Sequence, residues 1–160
     1  MPARQPAPPP ASAVRLRRAS PADLDMLLAL ENASFSGDKL SHARLRHWIS
    51  AANGMLLVAT ADGALLGSAL VFTRRDSPAA RLYSIAIAKA ARGQGLGSKL
   101  LRRAEQEARS LGLASMRLEV AADNTPAIAL YRKMGYEVFG RKLAYYEDGQ
   151  DAVRMQKSLV

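Results

Sequence analysis

The chain has 160 residues, 49% of them apolar and 23% charged, which fits one globular domain and argues against a disordered chain. It contains no cysteine, so a disulfide scaffold, a thiolate zinc site and a cysteine nucleophile are excluded. With 23 basic against 14 acidic residues the formal charge is +9, which suits an anionic partner: nucleic acid, an acidic peptide or a phosphate-bearing cofactor.

Residues 1–12 carry prolines at positions 2, 6, 8, 9 and 10 and lack the apolar core of a signal peptide. They read as a disordered Pro/Ala-rich tail ahead of a single domain spanning 13–160. No apolar run approaches the ~18 residues of a membrane span, and the expected compartment is the cytoplasm. Val14–Ala19 alternates apolar and basic residues as a half-buried strand does. Ser20 and Pro21 then supply an N-cap and a first-turn proline for a helix to about Ala33. After a loop at Phe35–Leu40, a short helix starts at Ser41 with Leu45, Trp48 and Ile49 on its apolar face. His42 and His47 are five apart and do not share a helix face well, so no metal site is expected.

Met55–Thr60 and Leu65–Thr73 read as strands joined by the turn Ala61-Asp62-Gly63. Arg74–Ala79 is a loop and Arg81–Ala88 a further strand. A glycine-rich turn at Arg92–Gly97 opens a helix with Leu96, Leu100, Leu101, Ala104, Ala108 and Leu111 on one face. Glu105 and Arg109 stand at (i, i+4) on the other side, as an exposed ion pair would. Gly112 ends that helix. Ser115–Ala121 is a strand, Thr125-Pro126 opens another helix, and Gly135 closes it. Tyr136–Gly140, Leu143–Glu147 and Ala152–Lys157 read as short final strands. The order is β-α-α-β-β-β-α-β-α-β-β, a mixed α/β domain, mostly antiparallel early with one crossover helix later.

Arg92-Gly93-Gln94-Gly95-Leu96-Gly97 lies between a strand and a helix. A helix N-terminus offers unpaired N–H groups and partial positive charge to an anion, and glycines let a pyrophosphate approach the backbone. Gly93-x-Gly95-x-x-Ser98 comes close to a dinucleotide fingerprint, with Glu119 near the place of a ribose-binding acid. That fingerprint belongs to a doubly wound parallel sheet, however, and the preceding hairpin argues against one. No Gly-Lys-Ser/Thr follows, so the P-loop pattern fails as well.

The run Arg92-x-x-Gly95-x-Gly97 resembles the acetyl-CoA signature of the GNAT N-acetyltransferases, Q/R-x-x-G-x-G/A. Arg117-Leu118-Glu119-Val120, Asn124 to Tyr131 and Gly135-Tyr136 resemble that family's continuation. Tyr145-Tyr146-Glu147-Asp148-Gly149, Asp151-Ala152 and Met155 are similar to the close of its ribosomal-protein-alanine N-acetyltransferase (RimI-like) branch. The resemblance implies a GNAT fold: a mixed, mostly antiparallel sheet with splayed central strands flanked by helices. It implies acetyl-CoA as co-substrate and no metal. Ile85, Ala86 and Ile87 would offer backbone groups to the pantetheine amides. Arg92, Gly93, Gln94, Gly95, Leu96, Gly97 and Ser98 would hold the pyrophosphate, and Asn124 would contact the cofactor. Glu119 matches the branch's general base and Tyr131 its general acid. The Arg that often follows the Leu-Glu-Val run is Ala121 here.

The residue chemistry suits those roles. An attacking α-amine has a pKa of ~8 and a lysine ~10.4, and a carboxylate in reach can take the proton as the C–N bond forms. A phenol of pKa ~10 can protonate a departing thiolate of pKa ~8.5. Strand alternation turns Glu119 off the apolar face. The implied activity is acetyl transfer from acetyl-CoA to a primary amine by direct attack. The expected acceptor is a protein or peptide N-terminus, ribosomal proteins among the candidates. Lysine side chains or small amines are the alternative acceptors. From other classes, a non-catalytic acyl-CoA-binding module and a basic ribosome- or RNA-associated protein remain. No aromatic-interleaved basic stretch points to sequence-specific nucleic-acid binding, and neither a membrane partner nor an oligomeric state is indicated.

Overall fold

The apolar alternation of the first half builds an antiparallel run of four strands. β1 (Arg15–Arg18) pairs with β2 (Gly54–Ala61), β2 with β3 (Ala64–Thr73), and β3 with β4 (Ala79–Ile87). The computed structural model describes residues 13–35, 37 and 39–160; the stretch 1–12, expected to be a disordered tail, lies outside them. Asp62 (φ 51) and Gly63 (φ 77) make the β2–β3 turn, the positive-φ pair that a two-residue hairpin needs to match strand twist. A bulge interrupts β3–β4: Leu70 pairs with Ser84 and Val71 with Leu82, which leaves Tyr83 as the extra residue.

Between β1 and β2 run α1 (Leu24–Ser34) and α2 (His42–Ser50). The first starts later than the Ser20-Pro21 signal implies, after a tight 3-10 turn at Pro21–Asp23. The Asp23 carboxylate closes this turn. It accepts the Ser20 N–H at 2.7 Å and both terminal nitrogens of Arg17 at 2.7 and 2.8 Å. Ser41 caps α2 by accepting the Arg44 N–H. Leu27, Leu40 and Leu45 from this helical layer pack on Leu56, Val58 and Leu70 of the sheet.

Asp23 is buried at 2% exposure, and the Arg17 guanidinium lowers its pKa to about 2. A carboxyl depressed on folding stabilises the fold above its unfolded pKa of ~3.9 and ceases to as pH falls toward 2. The chain is expected to lose on the order of 2 kcal/mol between pH 4 and pH 2 through this group. Urea midpoints across that window check it, because Asp23→Asn should show a smaller loss over the same interval.

In the second half α3 (Leu96–Ser110) crosses the other face of the sheet and delivers β5 (Ser115–Ala121) parallel to β4. Leu100, Leu101, Ala104 and Ala108 of α3 are fully buried in the larger core. After α4 (Thr125–Lys133), β6 (Glu137–Lys142) forms the edge, and β7 (Ala152–Ser158) inserts between β5 and β6, antiparallel to both. The seven-stranded order is β1-β2-β3-β4-β5-β7-β6. The mixed, mostly antiparallel α/β architecture is therefore as expected. Among the described residues no helix is long and apolar enough to cross a membrane.

Two local expectations do not hold. Leu143–Glu147 is a looped segment rather than a strand. Ala144 takes φ 48, and Asp151 ties the loop by accepting from the Ala144 N–H and from Arg141 Nε, both at 2.9 Å. Glu105 and Arg109 do not pair on the surface. Glu105 turns inward to accept the Tyr136 hydroxyl (2.8 Å) and Lys157 (2.9 Å), while Arg109 donates to the Leu159 carbonyl. A second cation outside the helix, on β7, displaced the local one.

Candidate active site

β4 and β5 are paired only over Ala79–Leu82 and Ser115–Leu118, although β4 runs to Ile87 and β5 to Ala121. Beyond Leu82 the two strands part, which is the expected splay. Ala88 donates its N–H to Leu66 of β3, so by strand alternation Ala86 also turns its backbone groups to β3, opposite Ser68. Ile85 and Ile87 turn theirs into the opening. Of the three residues expected to meet pantetheine through the backbone, those two have the orientation and Ala86 does not. The Ile87 carbonyl accepts from Arg92 Nε at 3.3 Å, which folds the arginine back along the strand end.

Past β4 the chain turns through Gly93 (φ 81) and Gly95 (φ 73) into α3. These left-handed positions demand glycine, and a Cβ at Gly93, Gly95 or Gly97 would meet nothing within 4 Å. Leu96 anchors the turn with its side chain in the core. The first-turn N–H groups of Leu96, Gly97 and Ser98 lack intrahelical partners, and no acidic residue sits in that turn. Gln94 and Ser98 flank it half-buried. An uncapped, open helix N-terminus of this kind fits a pyrophosphate.

At the mouth of the splay lies a cavity of about 650 Å³. Tyr83–Ile85, Glu119–Ala121, Asn124 and Tyr131 line it, with the end of α1 and the loop residues Tyr145–Asp148. It brings Glu119, Tyr131, Asn124 and Ile85 together; the glycine turn lies outside it, beyond the C-terminal end of β4. Asn124 also caps α4 by accepting the Ala127 N–H at 3.3 Å. Tyr131 sits at the helix end, where its carbonyl accepts the Tyr136 N–H while Gly135 (φ 98) donates to Arg132. That Schellman closure sets the Tyr131 ring edge-on to Tyr136 at 5.8 Å. Tyr136 in turn is fixed by Glu105. Burial pushes the Tyr131 phenol up to about 12 and the Tyr146 phenol likewise to about 12.

Glu119 leaves the apolar face as the alternation requires, yet its side chain is only 8% exposed. Arg81 holds Oε2 at 2.9 Å; Lys142 and Arg154 approach Oε1 at 3.5 and 3.6 Å. Arg81 also donates to the Tyr145 hydroxyl at 3.1 Å. Sequence reasoning misses this cage because it depends on register. Glu119 stands opposite Arg154 across β5–β7, and Arg81 opposite Arg117 across β4–β5. Nothing in the linear pattern pairs residues 81, 119, 142 and 154.

Comparison with known proteins agrees with this geometry. The family model described as the acetyltransferase (GNAT) family matches residues 24–136. The crystal structure of the ribosomal-protein-S18-alanine N-acetyltransferase from Escherichia coli superimposes with a TM-score of 0.82 at 26% identity, covering 91% of this chain and 94% of that one. The N-alpha-acetyltransferase RimI of Mycobacterium tuberculosis is 33% identical over 112 residues, 69% of this chain and 65% of that protein. An uncharacterized protein of Mycobacterium leprae is 35% identical over 143 residues, 86% of this chain but 39% of its own length. With the splayed strands, the open glycine turn and these relatives in view, the chain belongs to the GNAT family of N-acetyltransferases, and RimI-like enzymes are among its relatives.

Proposed function

We propose that this chain transfers acetyl from acetyl-CoA to the α-amine of a protein or peptide N-terminus by direct attack. The observation that carries the reading is the meeting of Glu119 and Tyr131 in one cavity at the point where β4 and β5 separate. The α-amine is favoured by chemistry: with a pKa of ~8 against ~10.4 for lysine, its neutral fraction near pH 7 is about two orders of magnitude larger.

In this reading acetyl-CoA supplies the thioester. The N–H groups of Gly93–Ser98, beside Arg92, hold its pyrophosphate, and Ile85 and Ile87 hydrogen-bond its pantetheine arm. Asn124 keeps the end of α4 in place and faces the cavity. Glu119, directly or through one water, accepts the proton that the amine nitrogen loses as the C–N bond forms. Tyr131 donates its proton to the departing thiolate sulfur. Its raised pKa keeps the phenol protonated and ready throughout the working range. Ribosomal proteins are candidate acceptors, and the proposed setting is the cytoplasm, where N-termini emerge from synthesis.

The test is to incubate the full chain with acetyl-CoA and peptides whose N-terminus or lysine is selectively blocked, then locate acetyl by mass spectrometry. Acetyl on free N-termini is expected. Acetyl confined to lysine, or to small amines alone, overturns the proposed acceptor.

The glycine turn has its own check. Gly95→Ala and Gly63→Ala both place a Cβ on a left-handed backbone in open space, at a similar cost of about 1–2 kcal/mol each. Titration with acetyl-CoA should show at least a tenfold weaker Kd for Gly95→Ala. Gly63→Ala, at the hairpin tip, should keep the wild-type Kd.

A further inference from the structure

The sheet carries a second cavity of about 120 Å³ beside the first, and Arg81 and Glu119 line both. Its other charged walls are Arg74, Arg117 and Arg154, so four arginines face one carboxylate. Register explains the concentration: Arg81 stands opposite Arg117, and Glu119 opposite Arg154. Residues directly opposite one another share a face.

The guanidinium groups are held in place. Those of Arg117 and Arg154 lie 5.1 and 4.7 Å from the centre of the Phe139 ring, and Arg81 lies 5.7 Å from that of Phe72. These cation–π contacts restrain the guanidinium groups. Arg154 Nε faces Glu119 Oε1 at 3.6 Å, while Arg81 Nε is buried with no hydrogen-bond partner among the described residues. Glu119 cannot satisfy the whole set, because it is already shared among Arg81, Arg154 and Lys142. A solvated charged face would leave such donors in water. Here the Arg81 donor is enclosed.

We propose that this cavity is an anion subsite of the acceptor site, taking a carboxylate side chain near the reacting end of a polypeptide. The inference rests on the N-terminal reading above. Glu119, the proposed base, lines this cavity as well as the first and lies 2.9 Å from Arg81. An extended acceptor with its amine at Glu119 advances ~3.3 Å per residue, so its Asp or Glu reaches the arginines from positions two to four. Planar guanidinium edges suit a carboxylate, which two parallel N–H donors can grip at once.

The experiment uses N-acetylated heptapeptides, the product form, so that binding is read without turnover. Each carries Asp or Asn at position two, three or four and is titrated into the full chain by calorimetry. At least one Asp peptide is expected to bind tenfold or more tightly than its Asn partner, with the advantage shrinking as salt is added. In an Arg74→Gln/Arg117→Gln double variant, both positions being exposed, that ratio should fall to about threefold or less, with Arg81 and Arg154 still present; circular dichroism confirms that the variant folds. Equal affinities at all three positions, or no detectable binding of any Asp peptide at millimolar concentration, overturns the subsite. So does a preference undiminished in the double variant. If the Asp preference holds while no N-terminus is acetylated, the subsite stands and the N-terminal reading falls.

Discussion

Tyr131→Phe is expected to lower kcat by about a hundredfold or more, the scale of a lost proton donor, while the Kd for acetyl-CoA stays within about twofold. The substitution removes one oxygen and keeps the ring that packs against Tyr136. Stability should therefore hardly change. Rapid-quench turnover together with equilibrium titration of acetyl-CoA separates the two quantities. The pH profile gives a second check. Burial pushes the Tyr131 phenol up to about 12, and the acid form is the active one. Wild-type turnover is therefore expected to climb through the α-amine pKa of ~8 and to stay flat to about pH 11. An alkaline limb that is unchanged in Tyr131→Phe would remove Tyr131 from the role.

The second large effect is at Glu119. Glu119→Ala should lower kcat/KM at least a hundredfold, but its three ion pairs make the cause ambiguous until it is separated. A carboxylate that orients Arg81, Lys142 and Arg154 could be essential without accepting a proton. Added formate discriminates, because a small carboxylate can enter the space left by Glu119→Ala but not that in Glu119→Gln. Rescue of turnover in the first variant and not the second is the expected result for a base. No rescue in either, with a raised KM and an unchanged pH profile, assigns Glu119 to positioning. The side chain is 8% exposed while its partners are 27–39% exposed, so water takes over much of their solvation. A stability loss of about 1–2 kcal/mol in either variant is expected, to be measured by urea denaturation.

How much of this was legible beforehand differs from element to element. The Asp62-Gly63 hairpin, the glycine turn before α3 and the Gly135 helix end are encoded locally, and each lies where the sequence indicates. Tyr131 follows from the last, since the helix end fixes its distance from Tyr136. The Glu119 cage does not follow, because β7 enters between β5 and β6 from 30 residues downstream and only register brings Arg154 across. Glu105 misleads for the same reason: a local partner four residues away lost to Lys157 on another element. The segment 143–147 alternates well enough to read as a strand, yet Ala144 takes a left-handed turn that the Asp151 carboxylate secures. Local chemistry wrote the turns; distant pairing wrote the electrostatics.

The short pairing between β4 and β5 has a thermodynamic side. The sheet is two half-sheets stitched by four pairs of residues, and the backbone of Ile85 and Ile87 is left as an unfinished edge. A bound pantetheine arm would act as an added rung, so part of the fold's cohesion would be supplied by its own co-substrate. At a free concentration one hundred times Kd, ligand linkage contributes about 2.7 kcal/mol, a sizeable share of a typical domain's stability. The enzyme's resistance to unfolding would then rise and fall with the acetyl-CoA level around it, and its lifetime would report the metabolic state that its activity consumes.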